Sequence, residues 1–354
     1  MAEDYFTTSG RMKALVNRDH LDRIPVNPNV GLHVTAISNL SAKDFYLEPE
    51  KAFRAQLWAR ELYQDDGAPT YGFTNWGGWD FGGEIQFHDA PCISTPTLTK
   101  YAVEKPQDVE YLQIPNLDTA PALSRMFQFA KLSRARGGGV SIPGGSPMGI
   151  AAVVIGPERL LRWLYKEPEL VHRVLRIATD YILQIADRYV TEFGVESCTV
   201  STSFPVECHA MVSPKVFERF SLPYVKEIFT KLRAKGLKKW SIHLCGDHTK
   251  NLPYWTEEMT LEPRTVITMG HENDIEQVAR AFGDDMIIGA NIPTTLMQIG
   301  TPEEIMEACR VVIEKMKYHP GGFILMPDCE LPPLTPPINV HAMVKAASVF
   351  GQYA

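Results

Sequence analysis

The sequence predicts an α/β fold, a (β/α)8 TIM barrel with N-terminal insertions, and three observations carry that reading. Short runs rich in Val and Ile alternate with amphipathic stretches of helical length, the pattern of parallel strands joined by crossover helices. Seven such runs are spread over 354 residues, which suits a closed barrel better than an open sheet. Several metal-binding or acid–base residues fall just after these runs, where barrels of this type collect their catalytic groups.

In chain order, the run at 24–30 opens the barrel and a helical stretch at 49–63 turns the chain back. An aromatic-rich insertion follows at about 66–120, then a helix at 121–136 leading into the run at 140–143. Helices at 157–166 and 168–193 precede the run at 198–203, and a helix at 213–234 precedes that at 240–245. The runs at 265–269, 286–291 and 323–327 alternate with helices at 274–282, 302–316 and 337–349. Ser213-Pro214 and Thr301-Pro302-Glu303-Glu304 each place a capping hydroxyl before a proline at the first helical turn. No repeat, low-complexity linker or boundary interrupts the pattern, so residues 1–354 read as a single domain.

Composition narrows the function. A formal net charge of −7 without a concentrated Lys/Arg stripe argues against nucleic acid as a partner. The run Lys231-Leu-Arg-Ala-Lys-Gly-Leu-Lys-Lys239 reads as the solvated end of a helix. No stretch has the ~18 consecutive apolar residues of a membrane span, and the first residues lack the form of a secretory signal. Six scattered cysteines read as reduced thiols, so a soluble cytoplasmic protein is expected.

Two segments hold the chemistry. In Ser241-Ile-His-Leu-Cys-Gly246, His243 and Cys245 are two apart, so on a strand they point to the same face. In Met326-Pro-Asp-Cys-Glu-Leu-Pro-Pro333, Cys329 follows another strand-like run. Neighbouring strands would let one imidazole and two thiolates converge on one ion. One His and two Cys with room for a further ligand is the composition of a catalytic zinc site. The same placement nominates Glu207, as a displaceable fourth ligand or a hydrogen-bond partner of the ligands, and His271-Glu272. His271 is positioned to protonate a departing oxyanion. Asn291, ending a run, is expected to orient substrate or backbone. His248 and Asp247 read as the start of the next helix, and Cys92, Cys198, Cys208, Cys309 and the other histidines, His88 among them, as structural. Gly137-Gly-Gly139 and Gly144-Gly145 are turns rather than a phosphate cradle, because no Lys-Ser/Thr follows.

From about residue 144 onward the chain resembles the uroporphyrinogen decarboxylase superfamily. The carrying segments are Gly156-Pro-Glu-Arg-Leu-Leu within 149–180, Val212-Ser-Pro-Lys-Val-Phe-Glu-Arg-Phe-Ser-Leu-Pro-Tyr224, Ile288-Gly-Ala-Asn291 and Cys329-Glu-Leu-Pro-Pro-Leu-Thr-Pro-Pro337. Gly10-Arg-Met-Lys-Ala-Leu and Asp22-Arg-Ile-Pro-Val26 are compatible with it. The resemblance implies a (β/α)8 barrel. Within it, the His-x-Cys…Cys arrangement looks like the corrinoid-dependent methyltransferases, which implies zinc on His243, Cys245 and Cys329. The implied partners are a small methylated substrate and a corrinoid protein, and a homodimer is compatible. The decarboxylases are cofactor-free and carry an arginine-rich N-terminal motif, whereas here Arg11, Arg18 and Arg23 stand isolated.

In Tyr71-Gly-Phe-Thr-Asn-Trp-Gly-Gly-Trp-Asp-Phe-Gly-Gly83, Trp76, Trp79 and Phe81 alternate with glycines. Such aromatic walls suit a flat aryl substrate or the face of a corrin. The expected activity is therefore demethylation of an aryl methyl ether with transfer to cobalt. Methyl transfer from the corrinoid to a thiol and uroporphyrinogen decarboxylation are the alternatives.

Overall fold

In the computed structural model, residues 8–87 and 95–353 are described. Cys92 and His88 lie outside them. A short hairpin comes first, pairing β1 (Glu84–Gln86) antiparallel with β2 (Thr97–Lys100). The main sheet is parallel and runs in sequence order: β3 (Val140–Pro143), β4 (Cys198–Ser203), β5 (Trp240–Leu244), β6 (Val266–Met269), β7 (Ile287–Ile292) and β8 (Phe323–Pro327). Consecutive parallel strands joined by helices form the (β/α) unit, repeated here around a barrel.

The predicted strand at 24–30 shrinks to a single bridge, Val26 against Leu325 of β8, flanked by Asn27 N–H to Leu325 O and Leu325 N–H to Pro25 O, both 2.9 Å. The cause is local. Pro25 and Pro28 donate no backbone hydrogen bond, and Asn29 (φ +53°) and Gly31 (φ +35°) turn the chain into a 3-10 turn at Gly31–His33. Asp66 N–H then bonds Val26 O at 2.8 Å, which carries the hydrogen bonding past β8 and around the barrel.

The predicted helices at 49–63, 157–166, 168–193 and 302–316 match Pro49–Tyr63, Pro157–Lys166, Pro168–Phe193 and Pro302–Met316. The helix expected at 213–234 is interrupted. A wide π turn, Phe217–Ser221, separates Pro214–Val216 from Leu222–Ala234, because Pro223 has no N–H for the regular ladder. The helix Pro147–Ile155 was not anticipated: it is apolar nearly all round, so it has no amphipathic period to read. The buried core runs from Ile24 to Ala347 as one extended cluster through the strands and their covering helices. Among the described residues no helix is long and apolar enough to cross a membrane.

Candidate metal centre at the barrel rim

His243 is the penultimate residue of β5. Along that strand Trp240, Ile242 and Leu244 are buried, while Ser241 and His243 take the other parity and are only partly buried. Cys245 keeps the parity of His243, and Cys329 enters two residues after β8 ends. One ligand atom from each of His243, Cys245 and Cys329 lies within 4.8 Å of the others. One ion with ligand distances of about 2.0–2.3 Å can draw such a group together by side-chain adjustment. Cys329 is exposed and the other two are partly buried, so the open side of the group faces the mouth.

The donor set fits a metal. His243 Nδ1 lies 2.9 Å from Thr268 Oγ1, while His243 Nε2 is buried and has no hydrogen-bond partner among the described residues. A buried polar nitrogen left unpaired costs about 1–3 kcal/mol, which a cation beside two thiols would offset. For Nε2 to present its lone pair, Nδ1 carries the hydrogen and donates it to Thr268 Oγ1, which in turn donates to Ile242 O at 3.4 Å. A hydrogen bond from Cys245, and then the nearby His243 ring, hold the Cys329 thiol well below the ordinary thiol range. Its bond to Cys329, together with burial, pushes Cys245 up.

Asn273 locks the turn after Cys245. Its Nδ2 donates to Gly246 O (2.7 Å) and Gly270 O (3.0 Å), and its Oδ1 accepts the His248 N–H (2.9 Å). Gly246 sits at φ +80°, and a Cβ there would come within 3.0 Å of Cys208 Cβ, so this turn needs glycine. Asn291 serves the same scaffold, donating from Nδ2 to Asn273 O at 3.2 Å. It thus orients backbone.

His271 stands beside the group. Its Nδ1 bonds Asp328 Oδ2, and Asp328, directly before Cys329, also accepts the Thr294 N–H at 2.9 Å. The charge of Glu272 is felt at Cys245. Glu207 is fully buried and is not one of the three grouped ligands. Its Oε1 accepts from Ser221 Oγ at 2.9 Å, its Oε2 has no partner among the described residues, and burial pushes its pKa up to about 7. His248, expected to start a helix, is instead sealed in the rim, with Nε2 on Phe204 O at 3.0 Å and its pKa pushed down to about 4 by burial.

The aromatic insertion splits in two. Trp76 packs on Tyr181 (5.7 Å) and also lies near the loop after β3, since a Cβ built on Gly145 would come 3.4 Å from its ring. Trp79 stacks on Phe73 (5.6 Å) with Arg125 over its ring (5.2 Å), and Phe81 meets Tyr181 edge-on (5.1 Å). Those contacts hold Trp79 and Phe81 in the packing of the insertion. Asp80 secures it, accepting the Ala122 and Leu123 N–H groups at the start of the helix Pro121–Ala135 and the Tyr181 hydroxyl. Sequence reasoning missed Thr268, Asn273 and Asp328. The last could have been suspected from its place beside Cys329.

The family model described as uroporphyrinogen decarboxylase (URO-D) matches residues 7–350. The chain belongs to the uroporphyrinogen decarboxylase family. Relatives of this family member carry two kinds of name. Methylcobamide:CoM methyltransferase MtbA of Methanosarcina acetivorans is 24% identical over 261 residues, 71% of either chain. The methylated-thiol–coenzyme M methyltransferase of Methanosarcina mazei is 24% identical over 202 residues, 57% of this chain and 50% of the relative. Uroporphyrinogen decarboxylase of Homo sapiens is 30% identical over 139 residues, 36% of each chain. A solved methyltransferase from Methanosarcina mazei shares the fold, with TM-score 0.78 at 20% identity over 98% of this chain and 99% of that one.

The N-terminal arginines of this uroporphyrinogen decarboxylase family member are engaged internally. Arg11 is buried between Asp22 and Asp66, and Arg23 bonds the other oxygen of Asp66 at 2.8 Å. Arg18 pairs at the surface with Asp285.

Proposed function

We propose that this family member is a zinc-dependent methyltransferase. It would move a methyl group from a methylated substrate, with an aryl methyl ether the best fit, to the cobalt of a corrinoid carried by a partner protein. The observation that carries the reading is the unpartnered, buried His243 Nε2 facing two thiols at an open rim. Bound there, zinc would supply a Lewis acid for the substrate heteroatom, and the partner's corrinoid the methyl-exchanging cobalt.

The chain's own residues have separable tasks. Thr268 orients the His243 ring, and Asn273 fixes the turn that presents Cys245. His271, oriented through Nδ1 by Asp328, offers Nε2 as the donor that protonates a departing alkoxide or phenolate. A phenol with a pKa of about 10 gains from such a proton, which favours an ether substrate. Trp76 would flank the aryl ring, whereas Trp79 and Phe81 support it from behind.

A second reading, methyl transfer from the corrinoid protein to a thiol, is favoured by the names of the methanogen relatives. Decarboxylation is disfavoured because Arg11 and Arg23 are already bound to buried carboxylates. The test is an assay of the zinc-loaded protein in both directions: aryl methyl ether with Co(I) corrinoid protein, and thiol with methyl-Co(III) corrinoid protein. Demethylation of the ether supports the first reading and methylation of the thiol the second. Decarboxylation of uroporphyrinogen with neither transfer would overturn both.

A further inference from the structure

Glu330 follows Cys329, and two loops of the mouth are shaped around its carboxylate. Leu32 N–H, in the turn after the Val26 bridge, donates to its Oε1 at 2.7 Å. Gly31 makes room for that oxygen: a Cβ there would come 2.1 Å from Oε1. Gly72, in the loop that leads to Trp76, faces the second oxygen, with a Cβ there 3.4 Å from Oε2. Tyr46 is near enough that, after burial, the carboxylate helps push its hydroxyl's pKa upward. The arrangement does more than cap a turn. A cap needs one oxygen, and Oε2 has no hydrogen bond to any described residue, although the side chain is only partly buried. An acceptor-only group with one satisfied oxygen, beside a proposed ligand in a mouth, is a receptor for a donor.

We propose that Glu330 is a specificity residue of the rim that recognises a hydrogen-bond donor, a hydroxyl or an ammonium, on a substrate whose methylated atom lies at the three-ligand group. This deepens and rests on the methyltransferase reading above. It narrows the substrate class to methylated compounds carrying a donor a short distance from the methyl-bearing atom. Gly31 explains how the site stays open: any side chain there would expel the carboxylate from the Leu32 amide.

The test is calorimetric binding of two matched pairs, 2-methoxyphenol against anisole and 2-methoxyethylamine against methyl propyl ether. Each is titrated into the protein and into Glu330→Gln, with metal content measured alongside. Glutamine keeps the size and an acceptor for Leu32 N–H, so the turn is retained while the charge is lost. In at least one pair the donor-bearing member should bind the wild type about tenfold more tightly, and Glu330→Gln should abolish that advantage. The responding pair tells hydroxyl from ammonium. No advantage in either pair, or one that survives Glu330→Gln, overturns the proposal. A preference that holds in a protein without methyl-transfer activity would instead overturn the methyltransferase reading and leave donor recognition standing.

Discussion

His243 and Thr268 are register partners on adjacent parallel strands, and the 2.9 Å contact between Nδ1 and Oγ1 commits the imidazole to presenting Nε2 to the two cysteines. Orientation of a metal ligand by an outer partner commonly contributes a factor of about 10–100 in affinity. Thr268→Val, which keeps the branched shape, should weaken zinc binding by about that factor in a chelator competition, while Thr268→Ser retains most of it. Equal affinity in all three proteins would remove Thr268 from the account.

Asn273 ties the loops after β5 and β6 to the end of β7. Asn273→Ala leaves the Gly246 carbonyl and the His248 amide without their partner, at a cost of about 1–3 kcal/mol in unfolding free energy. The turn bearing Cys245 should loosen as well. With Co(II) in place of zinc, the thiolate-to-metal absorption of the variant should broaden and weaken. A variant that is merely less stable, with an unchanged Co(II) spectrum, would contradict this positioning role.

Asp328 and His271 discriminate between the two directions of methyl transfer. Asp328→Asn removes the carboxylate from His271 without removing a thiol. Ether demethylation should fall by about a hundredfold, the usual scale for a lost general acid, with metal content intact. Methylation of a thiol needs no proton delivered to an oxyanion and should be nearly unaffected. Equal losses in both directions would place Asp328 in the scaffold.

Glu207 should shape the pH dependence of stability. Burial raises its folded-state pKa to about 7 from an ordinary 4.5. The folded state therefore holds a proton that the unfolded chain releases, so this stabilisation is full below pH 4.5 and is lost as pH rises through about 7. Glu207→Gln has no such titration. Relative to wild type, its unfolding free energy should improve by about 3 kcal/mol between pH 4.5 and 8. A difference that stays flat with pH would show that the carboxyl is ionised in the fold.

What could be read from the sequence follows from local rules. Strand parity alone puts His243 and Cys245 on one face, and the alternation of Val/Ile runs with helices yields the barrel. Proline at the first turn marks helices such as Pro302–Met316. Three kinds of information were not local. Register, which sets Thr268 beside His243 and Asn273 beneath Gly246, arises only when strands pair. The helix Pro147–Ile155 has no polar face to betray its period. In the aromatic insertion, nothing in composition tells that Trp76 reaches the loop after β3 while Trp79 stacks on Phe73. The strand expected at 24–30 fails because Pro25 and Pro28 withhold the donors a ladder needs.

The most direct measurement is elemental metal analysis of the purified protein beside Cys329→Ala. The wild type should hold about one zinc per chain and the variant should lose it, with the fold retained by circular dichroism. A wild type that takes up no zinc even after reconstitution, or a Cys329→Ala protein that holds it as well, would contradict the three-ligand centre.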